Sequence, residues 1–178
     1  MDRRFLGILM TIFSLEAAAP VREISLGDTL PMLKGEFLTG RTAVLPEAAK
    51  GKAALLMIGF TYDSRFPVEA WAKKFRADFG GNPKITFFEI PMIGGLSVIG
   101  KPFIDGGMRR GTPKSDQENV ITVYGGVDPW KQRVGFRDPK AAYLILIDST
   151  GKVIWRRSGD PDPKPYGELV KVVTALLG

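Results

Sequence analysis

The run Ala53 to Phe60 (AALLMIGF) is apolar from end to end, with Lys50-Gly51-Lys52 before it and the polar stretch Thr61 to Phe66 after it. Such a run predicts a strand covered on both faces, as in the centre of an α/β sheet. The adjoining residues fit that placement. Pro67 suits a first helical position, where its missing N–H costs nothing. Val68, Trp71, Ala72, Phe75 and Phe79 then share one helical face, with Lys73, Lys74, Arg76 and Asp78 on the other. Gly80-Gly81 ends that helix.

Further elements alternate along the chain. Ile85 to Pro91 predicts a second strand, and Val120 to Tyr124 a third short one. Between them lies a Gly-rich stretch from Ile93 to Gly111, with room for a short helix around Pro102 to Arg110. Gly125-Gly126 and Asp128-Pro129 introduce a helical segment through Val134. Tyr143 to Ile147 and Val153 to Arg157 read as a hairpin closed by Asp148-Ser149-Thr150-Gly151. In the second of these, alternation places Val153, Trp155 and Arg157 on one side and Ile154 and Arg156 on the other, with Trp155 in the core.

Asp160-Pro161-Asp162-Pro163 reads as a rigid connector. After it, Tyr166, Leu169, Val170, Val173, Leu176 and Leu177 line one face of a last helix. Upstream, Val21 to Gly40 reads as extended segments or a small hairpin, and Leu45-Pro46-Glu47 as a turn. Strands alternating with helices need parallel crossovers, and the terminal hairpin must be antiparallel. A three-layer α/β domain with a mixed central sheet, flanked by helices and carrying a Gly-rich insertion, satisfies that order.

Composition narrows the chemistry. The chain has 178 residues, of which 44% are apolar, enough for one domain with a sizeable core. It contains no cysteine and no histidine. This removes thiol redox chemistry, the thiolate nucleophile, Cys- or His-ligated zinc and every His-based triad. Carboxylates, lysines, tyrosines and hydroxyls remain for any acid–base or nucleophilic work. The Gly pairs form neither a P-loop nor a dinucleotide fingerprint, and the acidic residues lack calcium-loop spacing. No cofactor, metal or nucleic-acid partner is expected. The net charge of +6 favours acidic partners or anionic lipid weakly.

The beginning of the chain has the pattern of an export signal over residues 1–19. Met1-Asp2-Arg3-Arg4 is a basic start, Phe5 to Leu15 an apolar stretch and Ala17-Ala18-Ala19 a small-residue exit. Pro20 argues for cleavage one or two residues before Ala19 rather than directly after it. A helix over the apolar stretch would be ~16 Å long, about half a bilayer core. A short buried helix or an uncleaved anchor is the plainer alternative. Removing residues 1–19 takes two charges of each sign, so the mature domain, 20–178, keeps +6. Export to the bacterial periplasm or exterior is the expectation, with no transmembrane span in the mature chain.

Two stretches carry a family likeness. Lys50-Gly51-Lys52-Ala53 through Phe60-Thr61-Tyr62 resembles the lead-in to the redox loop of thioredoxin-like thiol oxidoreductases of the TlpA layout and of peroxiredoxins. Tyr143 through Asp148-Ser149-Thr150-Gly151-Lys152-Val153-Ile154 resembles their closing hairpin. The resemblance implies a thioredoxin-like fold from about Leu26 to Gly178. It also implies an active-site loop at Tyr62-Asp63-Ser64-Arg65-Phe66-Pro67, where no thiol stands. Pro139 is the candidate for the family's cis-proline beside that loop. A narrower likeness is to the mitochondrial ATP synthase assembly factor of the ATPase complex subunit ten type. It rests on Ile147-Asp148, Gly151 to Arg157 and Ser158-Gly159, with the pair Arg109-Arg110. That likeness implies a protein partner, such as a membrane complex of the ATP synthase kind.

The candidate residues are thus Tyr62, Asp63, Ser64 and Arg65, with Pro139, in a degenerate active-site loop. A basic patch of Arg109, Arg110, Arg156 and Arg157, with Lys114, is the second candidate. Each has a plainer explanation: Asp63 or Ser64 can cap the helix, and basic runs are commonly solvated faces. The leading expectation is an exported, non-redox protein that binds a protein partner as an assembly or chaperone-like factor. The alternatives are an enzyme on the Tyr62 loop, or a small-molecule or lipid binder on the Gly-rich insertion.

Overall fold

The computed structural model describes residues 20–95 and 100–178; the segment expected as an export signal lies outside them. Every residue of Ala53–Gly59 is buried in the strand here called β3. Its neighbours are Ile85–Ile93 (β4), parallel to it, and Tyr143–Ile147 (β6), antiparallel. Leu33–Phe37 (β1), Thr42–Leu45 (β2), Ile121–Tyr124 (β5) and Val153–Ser158 (β7) complete a mixed sheet ordered β2-β1-β5-β4-β3-β6-β7.

Alternation along β3 feeds two cores. Leu56 and Ile58 meet Ile90, Ile145, Trp130 and Val134 on one face. Leu55 and Met57 meet Trp71, Phe75, Leu144 and Leu169 on the other. Each such side chain removed from water contributes about 2 kcal/mol. Arg65–Phe79 (α1) and Pro163–Leu177 (α4) cover the second face through Trp71, Phe75, Leu169 and Val173. Val127–Val134 (α3) and the segment carrying Ile24 and Leu30 cover the first. Lys101–Gly111 (α2), the helix of the Gly-rich insertion, lies over β1 and β5.

Several sequence expectations shift. The hairpin expected within Val21 to Gly40 lies at Leu33–Leu45, across the turn at Gly40. Leu45, read as part of a turn, is the buried last residue of β2. The first helix starts at Arg65, so Pro67 stands at its third position, where no N–H is needed either. The last helix starts at Pro163, with Asp162 just before it, so the supposed connector ends on the first residue of the helix. Leu176 faces solvent.

In β7 the register slips by one residue. Leu146 pairs with Trp155 and Ile147 with Val153, leaving Ile154 as an inserted residue. Val153 therefore enters the core under α3, while Ile154 and Trp155 both pack on the α1/α4 side. Simple alternation, which put Val153 and Trp155 on one face, fails at that bulge.

Candidate functional site

β3 delivers the chain to α1 through Phe60 and a tight turn at Thr61 to Ser64. Ser64 is fully buried, and its hydroxyl donates to the Thr61 carbonyl at 2.8 Å and accepts from the Thr61 N–H at 3.1 Å. The Ser64 N–H in turn donates to Thr61 Oγ1 at 3.3 Å, and that hydroxyl donates to the Pro139 carbonyl at 2.5 Å. Ser64 thus stands at the helix start but makes no side-chain bond to the helix amides, contrary to the expected cap. Its side chain closes the turn instead. Gly59 is needed for this, because a Cβ there would lie 2.7 Å from Ser64 Oγ.

With the polar atoms of the turn satisfied internally, its large side chains face outward. Tyr62 is 71% exposed and Phe66 55%. The Arg65 guanidinium sits 4.2 Å from the Tyr62 ring centre and 4.6 Å from that of Phe66. The two rings meet edge to face at 6.4 Å. Such cation–π contacts contribute about 0.5–1 kcal/mol each at exposed sites and favour the clustered arrangement of the trio.

Beside the trio lies a pocket of about 340 Å³. Asp63, Phe66 and Pro67 form one wall, Asp138, Lys140 and Ala141 another, and Gly159 and Asp160 close the end. Its frame is anchored to the core. Trp71 Nε1 donates to the Gly159 carbonyl at 2.9 Å. The Tyr143 hydroxyl accepts from the Arg137 and Asp138 N–H groups at 2.8 and 2.9 Å, and donates to the Asp138 carbonyl at 3.0 Å. Pro139 therefore does border the loop, through its carbonyl. It is not the cis-proline: among the described residues the cis peptide is Leu45–Pro46.

The basic residues do not form one patch. Arg109 and Arg110 lie on α2 near β1, whereas Arg156 and Arg157 lie on β7 at one edge of the sheet. Five strand spacings separate β1 from β7, about 24 Å. Arg156 is a fastener: its guanidinium donates to the carbonyls of Ile24 and Val134 and pairs with Glu23 at 2.6 Å. Arg157 pairs with Glu168 of α4 at 3.1 Å. Arg109 Nε donates to the Leu38 carbonyl at 2.6 Å. Among the described residues, Arg110 and Lys114 make no ion pair.

Sequence reasoning passed over three features. Phe66 belongs to the exposed trio, and its signal was an aromatic four residues after Tyr62. On α2, Lys101, Asp105 and Arg109 recur every four residues and point at the sheet. Lys101 Nζ pairs with Glu36 at 2.6 Å and with buried Asp105 at 3.2 Å, and the Tyr124 hydroxyl donates to Asp105 at 2.7 Å. Burial and the Asp105 carboxylate push the Tyr124 hydroxyl well above its usual range. Finally, Glu89 of β4 lies under α1. Burial pushes its carboxyl up to about 7, against the pull of Arg76 at 3.9 Å.

No protein-family model matches the chain, and no curated protein matches it in sequence. Solved structures do match in shape. BsSco, a member of the Sco family of cytochrome c oxidase assembly proteins, superposes with a TM-score of 0.60 at 16% identity, covering 86% of this chain and 96% of that one. The thiol peroxidase of Chromobacterium violaceum gives 0.55 at 14% identity, over 87% and 92%. The exposed lipoprotein thioredoxin Etrx1 of Streptococcus pneumoniae gives 0.54 at 15%, over 79% and 98%. The fold is thioredoxin-like. With no cysteine anywhere in the chain, thiol–disulfide exchange is closed to it.

Proposed function

We propose that this is an exported, redox-inactive thioredoxin-like protein that binds a protein partner, as an assembly or chaperone-like factor, through the Tyr62–Phe66 surface. The observation that carries the reading is the clustered trio Tyr62, Arg65 and Phe66, exposed at the position where the resembled families hold their redox loop. Aromatic and arginine side chains are the commonest anchors of protein interfaces. An enzyme on the same loop would call for a polar cleft with strongly displaced carboxyl groups. Among the described residues the strongly raised carboxyl, that of Glu89, lies instead beneath α1, beside Arg76.

An assembly role draws on the likeness to BsSco, a protein of a family that assembles cytochrome c oxidase. ATP synthase as the partner rests on the sequence resemblance alone. Export rests on the residue pattern of the first 19 positions. Among the described residues no helix is long and apolar enough to cross a membrane.

Affinity capture from the envelope fraction tests the proposal, with the native protein and a Tyr62→Ala/Phe66→Ala variant as parallel baits. The expected result is a protein retained by the first and lost from the second while both baits remain folded. Equal recovery of the same proteins by the two baits would remove the loop from the reading.

A further inference from the structure

The pocket beside the trio has a charge opposite to that of the molecule. Asp63, Asp138 and Asp160 line it against a single ammonium, Lys140, in a chain whose net charge is +6. Among the described residues none of these three carboxylates takes part in an ion pair. One oxygen of Asp138 accepts the Lys140 N–H at 2.8 Å, which aims the carboxyl without neutralising it. The positive end of α1, about half a charge, does not offset the carboxylate excess among the lining residues. Arg65, 4.6 Å from the Phe66 ring, and Lys74, on the Pro161 carbonyl, stand outside the lining. Phe66, Pro67 and Ala141 add apolar surface to the same lining. A lining that mixes carboxylates with apolar surface, opening beside exposed aromatic rings, complements an aliphatic stem ending in a cation.

We propose that the pocket takes a lysine or arginine side chain from an extended segment of the partner, while Tyr62 and Phe66 pack on its apolar neighbours. The proposal deepens the partner-binding reading and rests on it. The methylene stem lies along Phe66 and Pro67, and the head group reaches the carboxylates of Asp63, Asp138 and Asp160. Charge-assisted hydrogen bonds there supply selectivity over a neutral isostere.

The test titrates the purified protein with fluorescent heptapeptides Gly-Leu-Ala-X-Ala-Leu-Gly, X being Lys, Arg, Gln or Glu, read by anisotropy. The Lys and Arg peptides should bind about tenfold tighter than the Gln peptide, with Glu weakest, and the gap should narrow as salt rises from ~50 to ~300 mM. The triple variant Asp63→Asn/Asp138→Asn/Asp160→Asn should lose that preference while Tyr62→Ala weakens all four peptides. Lys140→Ala should strengthen the Lys peptide about twofold. These exposed positions tolerate such changes, and Asp160→Asn alone provides a milder check.

Equal binding of the Lys and Gln peptides, or a preference that survives in the triple variant, would overturn the pocket assignment. In that case Tyr62-dependent binding of the Gln peptide would still uphold the partner-binding loop. Absence of binding by all four peptides would overturn the pocket, leaving the loop to be judged by the capture experiment.

Discussion

The helices α1 and α2 lie over the same side of the sheet but are held by different forces. α1 buries Val68, Trp71, Ala72 and Phe75 against β3 and β4. α2 turns Lys101, Asp105 and Arg109 inward, buries Asp105 and leaves Phe103 82% exposed. The first arrangement is driven by removal of apolar surface from water. The second depends on ion pairs and hydrogen bonds, whose net worth is small once desolvation is counted. Gly106 and Gly107 weaken α2 further. A surface mounted at the start of α1 is therefore held by the global fold, whereas α2 is held locally. That difference favours the Tyr62 loop over the insertion as the place where shape is fixed for recognition.

The contrast can be broken most severely at Trp71. Replacement by alanine should cost about 4 kcal/mol in urea unfolding, through the lost ring and the freed Gly159 carbonyl. The variant should also release the end wall of the pocket, seen as loss of peptide binding at temperatures where it remains folded.

Glu89 lies at the seam between the two regions, facing Glu69 and Arg76 of α1 and Asp116 beyond α2. Its carboxyl moves from an ordinary 4.5 up to about 7 in the folded protein. The folded state thus prefers the neutral acid. That stability is complete below about pH 4.5 and is lost as pH rises through 7, by about 3 kcal/mol. Urea midpoints across that range should fall with pH, and Glu89→Gln should flatten the slope while stabilising the protein at pH 8. A slope unchanged in the variant would place its origin elsewhere.

Asp105→Asn sharpens the contrast at a smaller scale. It should destabilise α2 by about 1–2 kcal/mol. Hydrogen exchange should quicken over residues 101–111 and leave the central amides of α1 unchanged. Uniform quickening of both helices would show that α2 is part of the global unit. The smallest effect belongs to Phe103→Ser, which should shift stability by less than about 0.5 kcal/mol, since the ring is already in water.

The same physics explains what the sequence revealed. β3, β6 and α1 were legible because burial writes continuous apolar runs and a 3.6-residue stripe. The closing turn was legible too, since Asp148 Oδ1 accepts from the N–H groups of Thr150 and Lys152, a job suited to that side chain. The inward face of α2 left no apolar signal, because its docking residues are Lys101, Asp105 and Arg109. The bulge at Ile154 is invisible to alternation, which assumes that no residue is added. Arg156 looked like surface charge because its partners include backbone carbonyls of Ile24 and Val134, which no side-chain pattern announces. At the loop, residue types pointed to Tyr62 and Arg65. The inward turn of Ser64 depends on Gly59, and the pocket depends on Asp138 and Asp160 arriving from two other strand ends.

The proposed function places recognition at the Tyr62 loop and not at the exposed ring of the insertion. A photo-crosslinking phenylalanine analogue placed in the living cell at position 62, and separately at position 103, tests it most directly. The expected result is a discrete protein adduct from position 62 and none from position 103. An adduct confined to position 103 would contradict it.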